Sequence, residues 1–186
     1  MKIRKVLCAI AGCFFILGMA VPGFPEEPEE QDFGSSSFDT NQLIDALAPS
    51  SSPSPSPSGY KGRSIRPVEK EKPKAISMEI TFEKNSYKLT ADARKKLDVV
   101  GQAFNSDRLG EFRFVVEGHT DASGDENYNL KLSRQRASEV RRYLTRYHNV
   151  DPARLEAEGK GEYDLLLKDD PTNGRNRRVR IVNMGN

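Results

Sequence analysis

Residues 112–147 read FRFVVEGHTDASGDENYNLKLSRQRASEVRRYLTRY. Phe112, Phe114 and Val116 alternate with Arg113, Val115 and Glu117, the period of a strand, and Gly118 ends it. Gly124, Asp125 and Asn127 mark a loop. From 127 to 147 the period changes. At ~100° per residue, with Val140 at zero, Ala137, Tyr143, Leu144 and Tyr147 fall within about 60° of Val140 and form a core-facing stripe. Followed toward the N-terminus, the stripe turns polar at Arg136, Ser133 and Asn129, whereas Arg134, Arg141, Arg142 and Arg146 project elsewhere. Arg136 is thus a guanidinium on the buried side. Such a group needs a counter-charge, because an unpaired buried one is costly by several kcal/mol. Two readings follow: an internal salt bridge, or a pocket that takes an anion. Asp121, at the strand end before the same helix, is placed to flank that pocket. A carboxylate and a guanidinium around one cavity suit a zwitterion, the acid taking an ammonium and the arginine fork a carboxylate.

The flanking sequence completes a unit. Met78, Ile80 and Phe82 alternate with Ser77, Glu79 and Thr81 and predict a first strand. Thr90 caps a helix with Leu89, Ala93, Leu97, Val100 and Phe104 on one face. Leu155 and Ala157 predict a third strand, and Val179 and Ile181 a fourth. The order is βαβαββ, which implies a two-layer α/β sandwich with helices on one face. It occupies residues 76–186, enough for one modest core.

Residues 24–75 differ in kind. Nine of the eleven prolines lie between Pro22 and Pro73, and 50–58 is nearly pure Ser-Pro alternation. That composition favours extended polyproline and predicts a disordered tether of ~40 Å as a coil or at most ~160 Å extended. Within it, residues 40–48 place Leu43, Ile44 and Leu47 at helical spacing. They read as a short docking helix or a transient one.

Residues 1–23 are a targeting segment. Lys2, Arg4 and Lys5 precede a charge-free run from Val6 to Val21, and Gly18 and Ala20 suit a cleavage site. The run spans roughly 24 Å, short of a ~30 Å hydrocarbon core. Ile10-Ala11-Gly12-Cys13 has the form of a lipidation site. Cleaved signal, anchor and lipoprotein all stay open, and all export the chain. The net charge is +2 from 29 basic and 27 acidic residues. Without the three basic residues of this segment the balance is −1, and Cys8 and Cys13, the only cysteines, are gone with it. Neither a nucleic-acid partner nor a thiolate metal site is expected. Ser133, His119 and Asp121 do not stand in a Gly-x-Ser-x-Gly frame, so no enzyme is expected.

Residues Gly118–Gly124, Asn129–Ala137 and Asn176–Val179, with Ile80–Phe82, Asn85-Ser86, Leu89 and Gly159–Glu162, together resemble the OmpA-like C-terminal domain, the type found in OmpA, Pal and MotB. The resemblance covers about 76–184. It implies a non-catalytic, cofactor-free module that binds peptidoglycan in the Gram-negative envelope. In that family the Asp of His-Thr-Asp and the Arg of Leu-Ser-x-x-Arg-Ala clasp meso-diaminopimelate of the stem peptide; those positions are Asp121 and Arg136. Thr120 and Asn129 match positions lining the pocket, and Arg177 one that closes it from the last strand. The implied location is the periplasm, in association with the outer membrane, with a membrane or envelope-protein partner open to the N-terminal region. An inner-membrane-anchored or lipidated component of a stator, secretion or Pal-like machine is the alternative, ahead of a cell-wall hydrolase. Arg180 stands where the family commonly has an acid, on a strand face expected to be exposed.

Overall fold

A computed structural model describes residues 28–49, 73–83 and 86–186. The elements are β1 (Glu29–Gly34), α1 (Thr40–Leu47), β2 (Lys74–Met78), α2 (Ala91–Phe104), β3 (Arg113–His119), α3 (Glu126–Tyr147), β4 (Leu155–Gly161) and β5 (Val179–Gly185), with 3₁₀ turns at Pro152–Arg154 and Gly174–Asn176. They form one mixed sheet in the order β1-β2-β5-β3-β4. β5 runs antiparallel between β2 and β3, while β1–β2 and β3–β4 are parallel pairs. From β2 onward the order is the expected βαβαββ.

The core lies between sheet and helices. Ile76 and Met78 of β2, Phe114 and Val116 of β3 and Val179 and Ile181 of β5 meet Leu97, Val100 and Phe104 of α2 and Ala137, Val140 and Leu144 of α3. The Phe104 and Phe114 rings stack at 4.0 Å. Thr90 caps α2 by accepting from Ala93 N, and Asp125 caps α3 by accepting from Tyr128 N; each satisfies a main-chain donor that the helix leaves unpaired. α3 lies close on the sheet because Gly118 and Gly159, register partners on β3 and β4, have no side chains beneath it. A Cβ on Gly118 would stand 2.3 Å from Ser133 O, and one on Gly159 2.5 Å from Arg134 N. That contact sets the height of α3, and so of Arg136, above the end of β3.

Four expectations are corrected. The first domain strand is Lys74–Met78, not the stretch to Phe82. Beyond Met78 the chain leaves the sheet, and Phe82 makes only an isolated bridge to Leu89. Tyr147, placed on the core stripe, is exposed and packs its ring against Tyr143 at 4.8 Å. The expected tether over 24–75 contains folded structure: β1 pairs with β2, and α1, capped by an Asp39–Gln42 capping box, buries Leu43, Ile44 and Leu47 in the core. Its apolar face drives that docking. Arg180 is not on an exposed face. It is 6% exposed and meets Glu30 of β1 at 2.9 Å, Glu117 of β3 at 3.2 Å and Asp164 at 3.4 Å. Burial pushes the Glu117 carboxyl up, but adjacent His119 and the charges of Arg180 and Lys160 outweigh it and hold it below the usual carboxylate value. The expected targeting segment, 1–23, and the Ser-Pro run lie outside the described residues.

Candidate functional site

The chain leaving β3 is stitched in place by its main chain. His119 N donates to Arg178 O at 2.9 Å, Thr120 N to Gly161 O at 2.8 Å and Ala122 N to Pro171 O at 2.9 Å. These bonds present Asp121 where β3 hands over to α3. The residue is 7% exposed and its carboxylate is held from two sides: Oδ1 accepts from Ser123 N at 3.2 Å, and Oδ2 from Arg177 Nη1 at 2.5 Å. Thr120 is buried, and its hydroxyl has no hydrogen-bond partner among the described residues.

Asn129, on the first turn of α3, is a brace. Its Nδ2 reaches Asp121 O at 3.2 Å, Ser123 O at 3.1 Å and Glu162 Oε2 at 2.8 Å. Those contacts use its donors, so it shapes the Asp121 loop through the main chain. Glu162 was not singled out by sequence. Only its place closing the Gly159–Glu162 stretch pointed to it, and folding alone brings it to Asn129.

Two turns further along α3, Arg136 is partly buried. Its guanidinium lies over the Phe82 ring, 4.8 Å from the centroid, and Nε donates to Ser86 O at 3.4 Å. It forms no ion pair with any carboxylate among the described residues, so the internal salt bridge weighed above is absent. Burial lowers its affinity for the proton, as does the positive charge of Arg177, while Tyr128 and Asp121 act in the opposite sense. Two guanidiniums close enough to repel lie beside one buried carboxylate, a set of groups with the chemistry to take an anion and a cation side by side. Arg177 is the more exposed partner, with a side chain 54% exposed against 10% for Asp121. Its guanidinium packs against Gly174, where a Cβ would stand 2.8 Å from Arg177 Nη2.

The structure therefore brings together Thr120, Asp121, Asn129 and Arg177 through direct bonds or chain neighbours, whereas the contacts of Arg136 are with Phe82 and Ser86. A cleft of about 850 Å³ along the outer side of α3, lined by Tyr87, Lys88, Leu130, Lys131 and Arg134 among others, contains none of the five. Ser133 Oγ is committed to the main chain, donating to Leu130 O at 2.8 Å and accepting from Gly161 N at 2.9 Å.

The profile of the OmpA family matches residues 81–180. The chain belongs to the OmpA family. Outer membrane protein A of Bordetella avium is 33% identical over 135 residues, which cover 68% of each chain. The peptidoglycan-associated lipoprotein of Pseudomonas aeruginosa is 37% identical over 102 residues, covering 54% of this chain and 58% of that one. Among solved structures, the periplasmic domain of Helicobacter pylori MotB aligns with a TM-score of 0.53 at 16% identity, covering 61% of this chain and 77% of that one. The cell wall anchor of the T6SS from Pseudomonas aeruginosa aligns at 0.51 and 23% identity, covering 61% and 82%. At those identities the likeness is one of fold. In this OmpA-family chain the site residues Thr120, Asp121, Asn129, Arg136 and Arg177 all fall inside the matched region, whereas β1 and α1 precede it.

Proposed function

We propose that this chain is an exported, non-catalytic envelope protein that binds peptidoglycan by the free amino-acid end of meso-diaminopimelate. Asp121 receives the ammonium. Arg136 receives the carboxylate, and Arg177 joins it from the β5 side while its Nη1 keeps the Asp121 carboxylate turned into the site. Thr120 backs the same wall, and Asn129 holds the loop. The observation that carries this reading is Arg136: a partly buried cation, stacked on Phe82, with no carboxylate of its own among the described residues. A group so placed gains most when an anion arrives, because its desolvation is already incurred. The names of the relatives, an outer membrane protein and a peptidoglycan-associated lipoprotein, agree in kind, and they support a periplasmic location in association with the outer membrane. The commitment of Ser133 Oγ to Leu130 and Gly161 supports a binding role over hydrolysis.

Co-sedimentation with purified sacculi tests the reading. Asp121→Ala removes a buried charged partner, a change worth about 2–5 kcal/mol, so affinity falls at least tenfold. Pelleting of this variant at the wild-type level refutes the assignment.

A further inference from the structure

We propose that β1, which lies outside the region matched by the family, is a working part of the ligand site. Through Glu30 and Asp32 it holds the 175–180 segment and so fixes where Arg177 stands. This rests on the reading of the site just given.

β1 is a poor strand by composition. Glu29, Gln31 and Asp32 are polar, and only Phe33 packs on the core. Beyond the β2 ladder and Phe33, its attachment is ionic. Lys74 Nζ meets Glu29 Oε2 at 2.5 Å on the neighbouring strand. Glu30 does something different. It is the register partner of Ala75, and its carboxylate reaches over β2 to β5, meeting Arg180 Nε at 2.9 Å and Arg178 Nε at 3.8 Å. Ala75 and Ser77 share that face of β2, and their small side chains leave room for the crossing. Arg178 and Arg180 are each about 5% exposed, and burial lowers the proton affinity of Arg178 while the Glu30 charge opposes that. Glu30 is thus the one carboxylate that Arg178 meets among the described residues, and one of three that Arg180 meets, with Glu117 and Asp164. Asp32 adds a second hold, accepting from Arg175 Nη2 at 2.8 Å.

Arg177 lies between these anchored positions. Arg175 is tied by Asp32, Arg178 by Glu30 and the Asp164 carbonyl, and alternation along the chain sends Arg177 to the other side, onto Asp121. Further along β5, Asn183 Nδ2 donates to Leu47 O of α1 at 2.8 Å. The N-terminal segment therefore grips β5 at both ends, and the end nearer the site carries Arg177. Glu30 and Asp32 are positioning residues. They touch no ligand, and their effect passes through the guanidinium that does.

The test uses the full chain and purified diaminopimelate-type sacculi, with Asp32→Ala, Asp32→Glu and Glu30→Gln made in the wild-type and in the Arg177→Ala background. The Asp32 pair is partly exposed, so Asp32→Ala weakens binding about two- to fivefold. Glu30→Gln takes from buried Arg178 the one carboxylate it meets among the described residues and from Arg180 one of three, and weakens binding about tenfold. Asp32→Glu restores most of the loss. In the Arg177→Ala background the same changes have little further effect, since coupled residues do not act additively. The Arg177 side-chain Nε–H resonance shifts in Asp32→Ala. Equal losses in both backgrounds, or no loss in the wild-type background, overturn the proposal. Should Glu30→Gln not fold, Asp32→Ala and its Glu rescue decide alone. Asp121→Ala run alongside separates the two levels: a loss there with none in Asp32→Ala sinks only the role of β1, whereas no loss in Asp121→Ala sinks the site and β1 with it.

Discussion

Replacing Arg136 by alanine separates a binding residue from a structural one, because the two roles predict opposite pairs of results. In the fold, the side chain makes one cation–π contact at 4.8 Å and one long hydrogen bond at 3.4 Å. A partly exposed cation–π contact contributes about 0.5–1 kcal/mol, and a bond of that length less than the ~1 kcal/mol of a good one. Against this, alanine relieves the burial of a charge and its repulsion with Arg177, both of which oppose the protonated form. The net cost is about 1 kcal/mol or less, which moves the melting temperature by about 2–5 °C in a domain of this size. Binding behaves otherwise. Losing the charged partner of a desolvated carboxylate costs about 2–5 kcal/mol; partial burial puts Arg136 at the low end, near 2, or about thirtyfold in affinity. Thermal melts and sacculus co-sedimentation on the same preparation give both numbers. A fall of more than about 10 °C in melting temperature with wild-type affinity would make Arg136 a structural residue and refute the reasoning.

Two further results are expected. Gly174→Ala puts a Cβ 2.8 Å from the tip of Arg177, a flexible group, so the fold holds while the guanidinium is displaced from Asp121; affinity falls about three- to tenfold with an unchanged melting temperature. Glu117 has a folded pKa below its ordinary 4.5, so its contribution to stability is complete above that pH and is lost as pH falls through the depressed value; Glu117→Gln therefore flattens the acid limb of a melting temperature–pH profile, and an unchanged limb contradicts the ionic role given to Glu117.

The parts legible in the sequence were those with a repeating signal. Strand alternation at Phe112, Phe114 and Val116, and the α3 stripe through Ala137, Val140 and Leu144, carry βαβαββ directly. Arg136 stood out because it broke that stripe, and the structure keeps it without a carboxylate among the described residues. β1 was hidden because Glu29–Gly34 has no apolar alternation. Its pairing depends on main-chain bonds to an edge and on Glu30 finding arginines some 150 residues away, and composition placed it in the tether. α1 was visible as an amphipathic island, but a helix of eight residues shows no partner in its own sequence. Asn129 was marked both by the polar end of the stripe and by the resemblance, but neither shows that its donors go to Asp121, Ser123 and Glu162. Tyr147 shows the limit of a helical wheel, which assigns an angle and not how far the neighbouring layer extends.

The central claim is that Asp121, Arg136 and Arg177 recognise both charges of one amino-acid head. Affinity for soluble stem peptides ending in meso-diaminopimelate, compared with otherwise identical peptides carrying lysine, tests it most directly. Lysine keeps the ammonium and lacks the carboxylate, so the account predicts binding weaker by about tenfold or more, a difference that disappears in Arg136→Ala. Equal affinity for the two peptides by the wild-type chain would contradict it.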